Sequence, residues 1–332
     1  MTEQENRAAG RVAVLVDHLD GDVKPTAREL LTLARGLDRE VHAVWTGAGA
    51  GVQAPAAELA AHGADVVHEV EVAGADAQLT ASVVDALQAV LAAVGDVGLL
   101  LVPSTFEGRE VAARLAVRTG AGVVTGASGV TFEDGRWTAR KSVLAGAWDT
   151  ACAVTGPLAV VAVAPHAVQA VARDGAAEPS VVRHTAEASA AARAVTVVSR
   201  TRRPTSERPP LAEAEVVVVG GRGVEGDFSG VEELADVLGG AVGATRVATD
   251  EGWIGHEAQV GQTGVTISPR LYLGLGVSGA VHHKGGMAAS ATVVAVNNDP
   301  DAPIFEFADY GIVGDLAEVL PALTAELRRR RG

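Results

Sequence analysis

From Arg11 onward the chain alternates short valine-rich runs with longer segments whose apolar residues recur at helical spacing. An apolar run without polar alternation is buried on both faces, and such strands belong to parallel sheets covered by helices. R-V-A-V-L-V (11–16), E-V-H-A-V-W-T-G (40–47), D-V-V-H-E-V-E-V (65–72) and V-G-L-L-L-V-P (97–103) read as strands. A-R-E-L-L-T-L-A-R-G-L (27–37), S-V-V-D-A-L-Q-A-V-L-A-A-V (82–94) and G-R-E-V-A-A-R-L-A-V-R (108–118) read as the helices between them. Residues 120–195 are less regular; V-L-A-G-A-W-D-T-A-C-A-V (143–154) and P-L-A-V-V-A-V-A-P (157–165) read as strands that complete the same sheet. A βαβ crossover forces parallel pairing, so the expected class is α/β, with a mostly parallel sheet flanked by helices.

The proline-rich, charged stretch S-R-T-R-R-P-T-S-E-R-P-P (199–210) carries no aliphatic residue and reads as an extended linker. The expected organisation is a domain over 1–198, a linker over 199–212 and a second α/β domain over 213–332. In the latter, A-E-V-V-V-V-G-G-R-G opens on a strand, and Val231, Leu234, Ala235, Leu238 and Val242 share one helical face with Gly243 near its exit. L-Y-L-G-L-G (271–276) and A-T-V-V-A-V-N (291–297) read as strands. In the last helical pattern Pro321 should kink the helix or start another.

At 332 residues with 48% hydrophobic side chains the chain can fill two cores. Only 3% of residues are aromatic and the formal charge is −14, so neither base stacking nor phosphate-backbone binding is expected. Cys152 is the single cysteine, which excludes an intrachain disulfide. No apolar stretch reaches the roughly 18–20 residues of a membrane span. The acidic N-terminus carries no leader pattern, so the expected location is cytoplasmic. The basic cluster Arg328 to Arg331 follows a helical pattern and complements the helix dipole.

Three glycine-rich segments, at 220–223, 259–264 and 271–286, lie just after or close to strand-like runs at a spacing that suits a large nucleotide cofactor. Gly221 to Gly226 matches G-x-G-x-x-G, but Asp227 and Phe228 intervene before any helical face, which weakens an NAD reading. His282 and His283 have no cysteine or acidic partner at zinc spacing. No Ser-His-Asp order, carboxylate pair or P-loop stands out, and Asp17, His18 and Asp301 read as surface residues.

In their order, the motifs of the last 120 residues resemble the FAD-binding domain of the electron transfer flavoprotein alpha subunit. Leu271 to Gly286 follows the family's C-terminal signature, with Gly274 replacing the usual Ala or Thr and His282 replacing the usual Gln. G-A-T-R (243–246), Q-V-G-Q-T-G (259–264), V-N-N-D-P-D-A-P-I-F (296–305) and A-D-Y-G-I-V-G-D-L (308–316) are its companions. A weaker resemblance covers the first domain, through G-D-V-K-P-T-A-R-E-L-L-T-L-A-R and L-L-V-P-S-T-F-E-G-R-E-V-A-A-R-L-A.

The resemblance implies FAD in a Rossmann-like C-terminal domain. It implies Arg246 over the flavin ring, Thr263 and Gln262 at the N5 edge and ribityl chain, and His283 as a donor near the C2 carbonyl. His282 is expected beside the cofactor with an altered contact. Ser278, Gly279 and Ala280 are expected to open a helix facing the pyrophosphate, with Ser278 as N-cap, and Val281 is expected to contact the cofactor. Asn297 and Asp315 are expected near the adenosine part, Asp315 equally being a plain N-cap, and Leu316 is expected to contact the cofactor. Arg222 is expected along the cofactor, and Thr245, Val260 and Gly261 complete the pocket.

The implied partners are an electron transfer flavoprotein beta subunit, packed on the N-terminal domain, with acyl-CoA dehydrogenases of fatty acid beta-oxidation as donors and a quinone-linked oxidoreductase as acceptor. Three alternatives stay open: a bifurcating or nitrogenase-linked member, an NAD-dependent oxidoreductase using Gly221 to Gly226, and an adenine-nucleotide module.

Overall fold

Valine and leucine runs too apolar to leave either face in water become the central strands of two parallel sheets. The computed structural model describes residues 10–47, 53–201 and 207–331. Two compact units account for the chain, one holding residues 1–141 and 149–202, the other 142–148 and 203–332.

The strands of the first unit are β1 (Arg11–Val16), a small antiparallel pair β2 (His18–Leu19) and β3 (Asp22–Val23), β4 (Val41–Thr46), β5 (Val66–Ala73), β6 (Val97–Pro103) and β7 (Gly122–Ala127). They continue with β8 (Gly129–Glu133), β9 (Arg136–Val143), β10 (Trp148–Ala153), β11 (Ala159–Val163) and β12 (Ser180–Glu187). Its helices are α1 (Pro25–Arg35), α2 (Ala56–His62), α3 (Thr80–Val94), α4 (Phe106–Thr119) and α5 (Ala190–Arg193). Seven strands form one sheet in the order β12-β5-β4-β1-β6-β11-β7, every neighbouring pair parallel. Successive residues of a strand feed opposite cores. Val12, Val14 and Val16 pack with Leu30 and Leu31 of α1, while Ala13 and Leu15 pack with Leu87 of α3 and Leu115 of α4.

Two readings of this region need correction. Residues 143–154 are not one strand: Leu144 and Ala145 both take φ 53°, so β9 and β10 are separated by a turn. With β8 these two form a separate three-stranded sheet and do not extend the main one. His18 is no bare surface residue either, since its ring stacks on buried Trp45 at 3.7 Å and Nε2 lies 2.8 Å from the Thr46 carbonyl.

Across β4, β5 and β12 runs a row of imidazoles that the sequence did not single out. His42 Nδ1 lies 2.8 Å from His68 Nε2, and His68 Nδ1 lies 2.8 Å from His184 Nε2. The parallel register pairs Val44 with His68 and Val70 with His184, so the row steps two residues at each strand and runs diagonally over one face. His42 and His68 are buried, and His184 is half-exposed on the edge strand.

In the second unit the strands are β13 (Val216–Gly220), β14 (Ala241–Ala244), β15 (Leu271–Leu275), β16 (Val293–Asn297) and β17 (Tyr310–Val313). The helices are α6 (Ser229–Leu238), α7 (Arg246–Asp250), α8 (Val281–Met287) and α9 (Leu316–Arg331). The sheet is parallel throughout, in the order β14-β13-β15-β16-β17. α6 ends earlier than its apolar face suggested. Gly239 takes φ 67°, and the N–H of Gly240 donates to the Ala235 carbonyl, so Val242 and Gly243 belong to β14. α9 runs through Pro321 as one helix instead of dividing there.

Of the expected linker, residues 202–206 lie outside the described residues. Beyond them, Arg208 is tied to Asp236 of α6 by two hydrogen bonds. In the terminal basic cluster, Arg329 and Arg330 both pair with Glu326, and Arg328 with Glu233.

Candidate cofactor site

The chain enters the second sheet at β13, moves out to β14 and then crosses back to β15. Adjacent strands β13 and β15 therefore send their connections to opposite faces, and a crevice opens at their carboxyl ends. A cavity of about 570 Å³ occupies that end, a volume within the range of small-molecule and cofactor pockets.

The loop after β13 supplies Arg222, which opens a single 3-10 turn over Arg222–Val224 and is exposed. Its flanking glycines serve close backbone packing. A Cβ on Gly221 would sit 2.3 Å from the Gly276 carbonyl oxygen, and one on Gly223 would sit 2.8 Å from Gly276 Cα. The first two glycines of the G-x-G-x-x-G match thus hold the β13 and β15 loops together, and α6 begins only at Ser229.

The loop after β14 supplies Thr245 and Arg246. Thr245 Oγ1 is buried with no hydrogen-bond partner among the described residues. Arg246 starts α7, keeps about 62% of its side chain exposed, and its Nε lies 3.3 Å from Asp250.

A third wall comes from residues 259–265, tied to the end of β14 by an Ala244–Gln259 bridge. The buried amide of Gln259 accepts from Thr249 at 3.0 Å and donates to Thr263 Oγ1 at 2.9 Å. Since that oxygen accepts, the Thr263 hydroxyl proton is left for another acceptor.

The fourth wall follows β15 and includes Ser278, Ala280, Val281, His282 and His283. Here the expected helix start moves. Gly279 takes φ 87°, and a Cβ there would lie 2.4 Å from the Ile304 nitrogen, so the helix cannot begin until the chain has passed this contact. α8 starts at Val281 with Ala280 at the N-cap, and Ser278 does not cap it; the Ser278 carbonyl accepts from the Ile304 N–H at 3.0 Å.

His283, expected as a flavin donor, lines the cavity with both ring nitrogens engaged inside the protein. It is buried, Nδ1 lies 3.0 Å from the Val260 carbonyl and Nε2 lies 2.7 Å from the Tyr272 hydroxyl. A carbonyl only accepts, so Nδ1 carries the proton and Nε2 accepts from tyrosine. Burial pushes its pKa down to about 4, the Val260 hydrogen bond opposing in part. The neutral ring has no N–H left for a ligand while both bonds stand. His282, by contrast, is exposed on the wall, its carbonyl accepting the Gln262 N–H at 2.9 Å.

The crevice thus brings together Arg222, Thr245, Arg246, Val260, Gly261, Thr263, Ser278, Ala280, Val281, His282 and His283. Gln262, Gly279, Asn297, Asp315 and Leu316 stand outside its lining. Asn297 ends β16 and donates to the carbonyl of Val277, a lining residue, at 2.9 Å. Asp315 accepts from the Ala317 N–H at 2.8 Å, which is N-cap geometry. Leu316 packs in the core with α6. Val247, Gln259 and Val277 line the cavity although the sequence reading passed over them. Gln259 begins the Q-V-G-Q-T-G motif, and only its bridge to β14 marks it as inward.

Comparison with known proteins agrees with this architecture. Residues 12–189 match the family described as "Electron transfer flavoprotein domain", and residues 210–288 match "Electron transfer flavoprotein FAD-binding domain". The chain is 42% identical to the electron transfer flavoprotein subunit alpha of Mycobacterium leprae (strain TN), over 96% of this chain and 98% of that protein. It is 43% identical to the Mycobacterium tuberculosis (strain ATCC 25618 / H37Rv) protein of the same name, over 97% and 99%. The Bacillus subtilis (strain 168) protein of that name is 33% identical, over 96% and 98%. The donor set fits FAD: an orphaned buried hydroxyl at Thr245, two permanent cations, and a free hydroxyl proton at Thr263 converge on one crevice.

Proposed function

The chain belongs to the electron transfer flavoprotein alpha-subunit family, and from that premise we propose that it pairs with a beta subunit and carries electrons between dehydrogenases and a quinone-linked oxidoreductase. Acyl-CoA dehydrogenases are the proposed donors and the cytoplasm the proposed compartment. The observation that carries the reading is the convergence of Arg222, Arg246, Thr245 and Thr263 on one cavity at the sheet's switch point.

FAD, when bound, supplies a ring that takes up and releases one or two electrons. The protein's share is to bind that ring and set its charge environment. Arg222 and Arg246 give the pocket permanent positive charge, which favours the more negative, reduced form of any redox ligand. Thr245 and Thr263 offer hydroxyls for polar ligand edges. Gly221, Gly223 and Gly276 let the loops after β13 and β15 meet backbone to backbone. Asn297 braces the wall at Val277 from behind, and we assign it that supporting part.

Arg246→Ala should lower the flavin midpoint potential while leaving FAD bound. The ion pair with Asp250 is exposed and weak, so the guanidinium retains most of its field. Losing about 1.4 kcal/mol of stabilisation corresponds to roughly 60 mV for a one-electron couple. Spectroelectrochemical titration of variant and parent checks this, and equal potentials would remove Arg246 from the tuning role.

The wider reading is tested by purifying the chain with an electron transfer flavoprotein beta subunit and titrating the complex anaerobically with an acyl-CoA dehydrogenase and its substrate. Bleaching of the flavin bands supports it. Flavin that dithionite reduces but the acyl-CoA couple does not would reject the proposed donor, and a complex that could not be loaded with FAD would reject the whole reading.

A further inference from the structure

The Tyr272–His283–Val260 chain of hydrogen bonds joins three separate elements: β15, α8 and the loop over 259–265. Tyr272 is fully buried, stands below the cavity in the core cluster with Ile304 and Met287, and is absent from the cavity lining. Its ring has room because residue 274 is glycine. A Cβ there would lie 2.9 Å from Tyr272 Cε1 and 3.1 Å from its hydroxyl oxygen.

Resting on the FAD site described above, we infer that Tyr272 is a positioning residue of the cofactor pocket. Through His283 it fixes the carbonyl of Val260, and with it the wall formed by residues 260–263. The argument is one of donors and acceptors. Neutral imidazole has one N–H and one lone pair, and the two possible tautomers point the proton in opposite directions. Only the Nδ1–H form can donate to Val260, and that form leaves Nε2 as a buried acceptor. The Tyr272 hydroxyl is the donor that satisfies it, at 2.7 Å. Burial raises the hydroxyl's pKa above its ordinary value, so it stays a donor.

The wall so held is otherwise joined to α8 by backbone contacts. Gln262 N–H donates to the His282 carbonyl at 2.9 Å, and Ile267 N–H to the Gly286 carbonyl at 2.8 Å. His283 is the hydrogen-bonding side chain of this seam, and its Nδ1–H holds the Val260 carbonyl from one end of a peptide unit whose other end, the Gly261 N–H, is bonded to the Val265 carbonyl. A phenylalanine at 272 keeps the packing but leaves Nε2 buried without a donor, which favours ring flips or the other tautomer. An unsatisfied buried acceptor is worth about one to two decades in an equilibrium constant.

The test uses Tyr272→Phe in the complete complex with its beta subunit, with the alpha chain labelled by ¹⁵N-histidine. In the parent, the His283 resonances, assigned by their loss in His283→Gln, should report a protonated Nδ1 with and without FAD. In Tyr272→Phe the Nε2 resonance should move, and the FAD dissociation constant should rise about tenfold. Unchanged ¹⁵N shifts and FAD affinity in the variant would overturn the inference. So would an Nε2–H tautomer in the parent, a result that stands even if the variant fails to fold. A parent complex that holds no FAD would sink the proposed function and this inference together, whereas a parent that binds FAD beside an indifferent variant sinks the inference alone.

Discussion

Alanine at Gly286 is expected to weaken FAD binding by about tenfold to a hundredfold. A Cβ there would lie 2.3 Å from Gly261 Cα and 2.4 Å from its nitrogen, so the obstacle is backbone on backbone. Neither side can easily retreat. Gly261 N–H is bonded to the Val265 carbonyl at 3.2 Å, and the Gly286 carbonyl accepts from Ile267. Relief requires α8 to move off the 259–265 loop, and both are pocket walls. Overpacking of this kind costs about 1–3 kcal/mol, and each 1.4 kcal/mol is a decade of affinity. Gly285→Ala is the matched control. Its Cβ would meet the exposed Gln262 side chain, with Nε2 at 2.5 Å, and that side chain can swing into solvent. Flavin fluorescence titrations should separate the two variants clearly. Equal affinities would mean that the wall yields more readily than its geometry indicates.

His68→Ala should lower the melting temperature of the first unit by about 10 °C. Removing the central imidazole leaves His42 Nδ1 buried without a partner, turns half-exposed His184 to water and opens a cavity. A buried orphan costs about 1–3 kcal/mol, the cavity adds to it, and in a unit of this size 1 kcal/mol shifts the midpoint by about 2–4 °C. The contacts also bound the row's proton content. His42 Nε2 faces the Glu40 carboxylate at 3.5 Å, which favours Nε2–H there without a formed hydrogen bond, and with that tautomer each imidazole donates in turn toward His42. Each N···N contact holds one proton, so the neutral row can take one more at its His184 end, and a second would break a rung.

Burial lowers the pKa values of all three, His68 to about 4, with the neighbouring imidazoles adding to the effect on His68. Glu40 opposes the shift at His42, Arg11 adds to it, and Asp65 opposes it weakly. The sign follows from linkage. The unfolded histidines take up protons first, so the stabilisation is present above about pH 6.5 and is lost as pH falls toward 4. Calorimetry between pH 7 and pH 5 should show the parent losing stability on acidification and His68→Ala losing less. A variant with the parent's melting temperature at pH 7 would show that the row carries little of the unit's stability.

Much of the fold and of the site's location was readable from residue order. Unbroken runs such as Leu99 to Val102 admit little besides a strand buried on both faces, because any other placement leaves a face in water. The three glycine-rich turns fall at or beside the carboxyl ends of β13, β14 and β15, since a chain leaving a parallel strand must turn there. Misreadings cluster where a local pattern met a backbone event. Val242 continues the apolar spacing of α6, yet left-handed Gly239 ends the helix before it. Ser278 is a good N-cap residue type, but the contact of Gly279 with Ile304 delays α8 to Val281.

The sequence by itself determined the parallel α/β class, the order of the cofactor loops and the family, because apolar period and glycine placement are local properties of the chain. Tertiary structure alone decided which way each imidazole points. His68 and His184 are 116 residues apart and share a rung only because β5 and β12 pair in one register. His283 gives its N–H to Val260 because Tyr272, on β15, supplies the donor its other nitrogen needs. A side chain's proton is placed by what surrounds it in space, and that neighbourhood exists only once the sheet has formed.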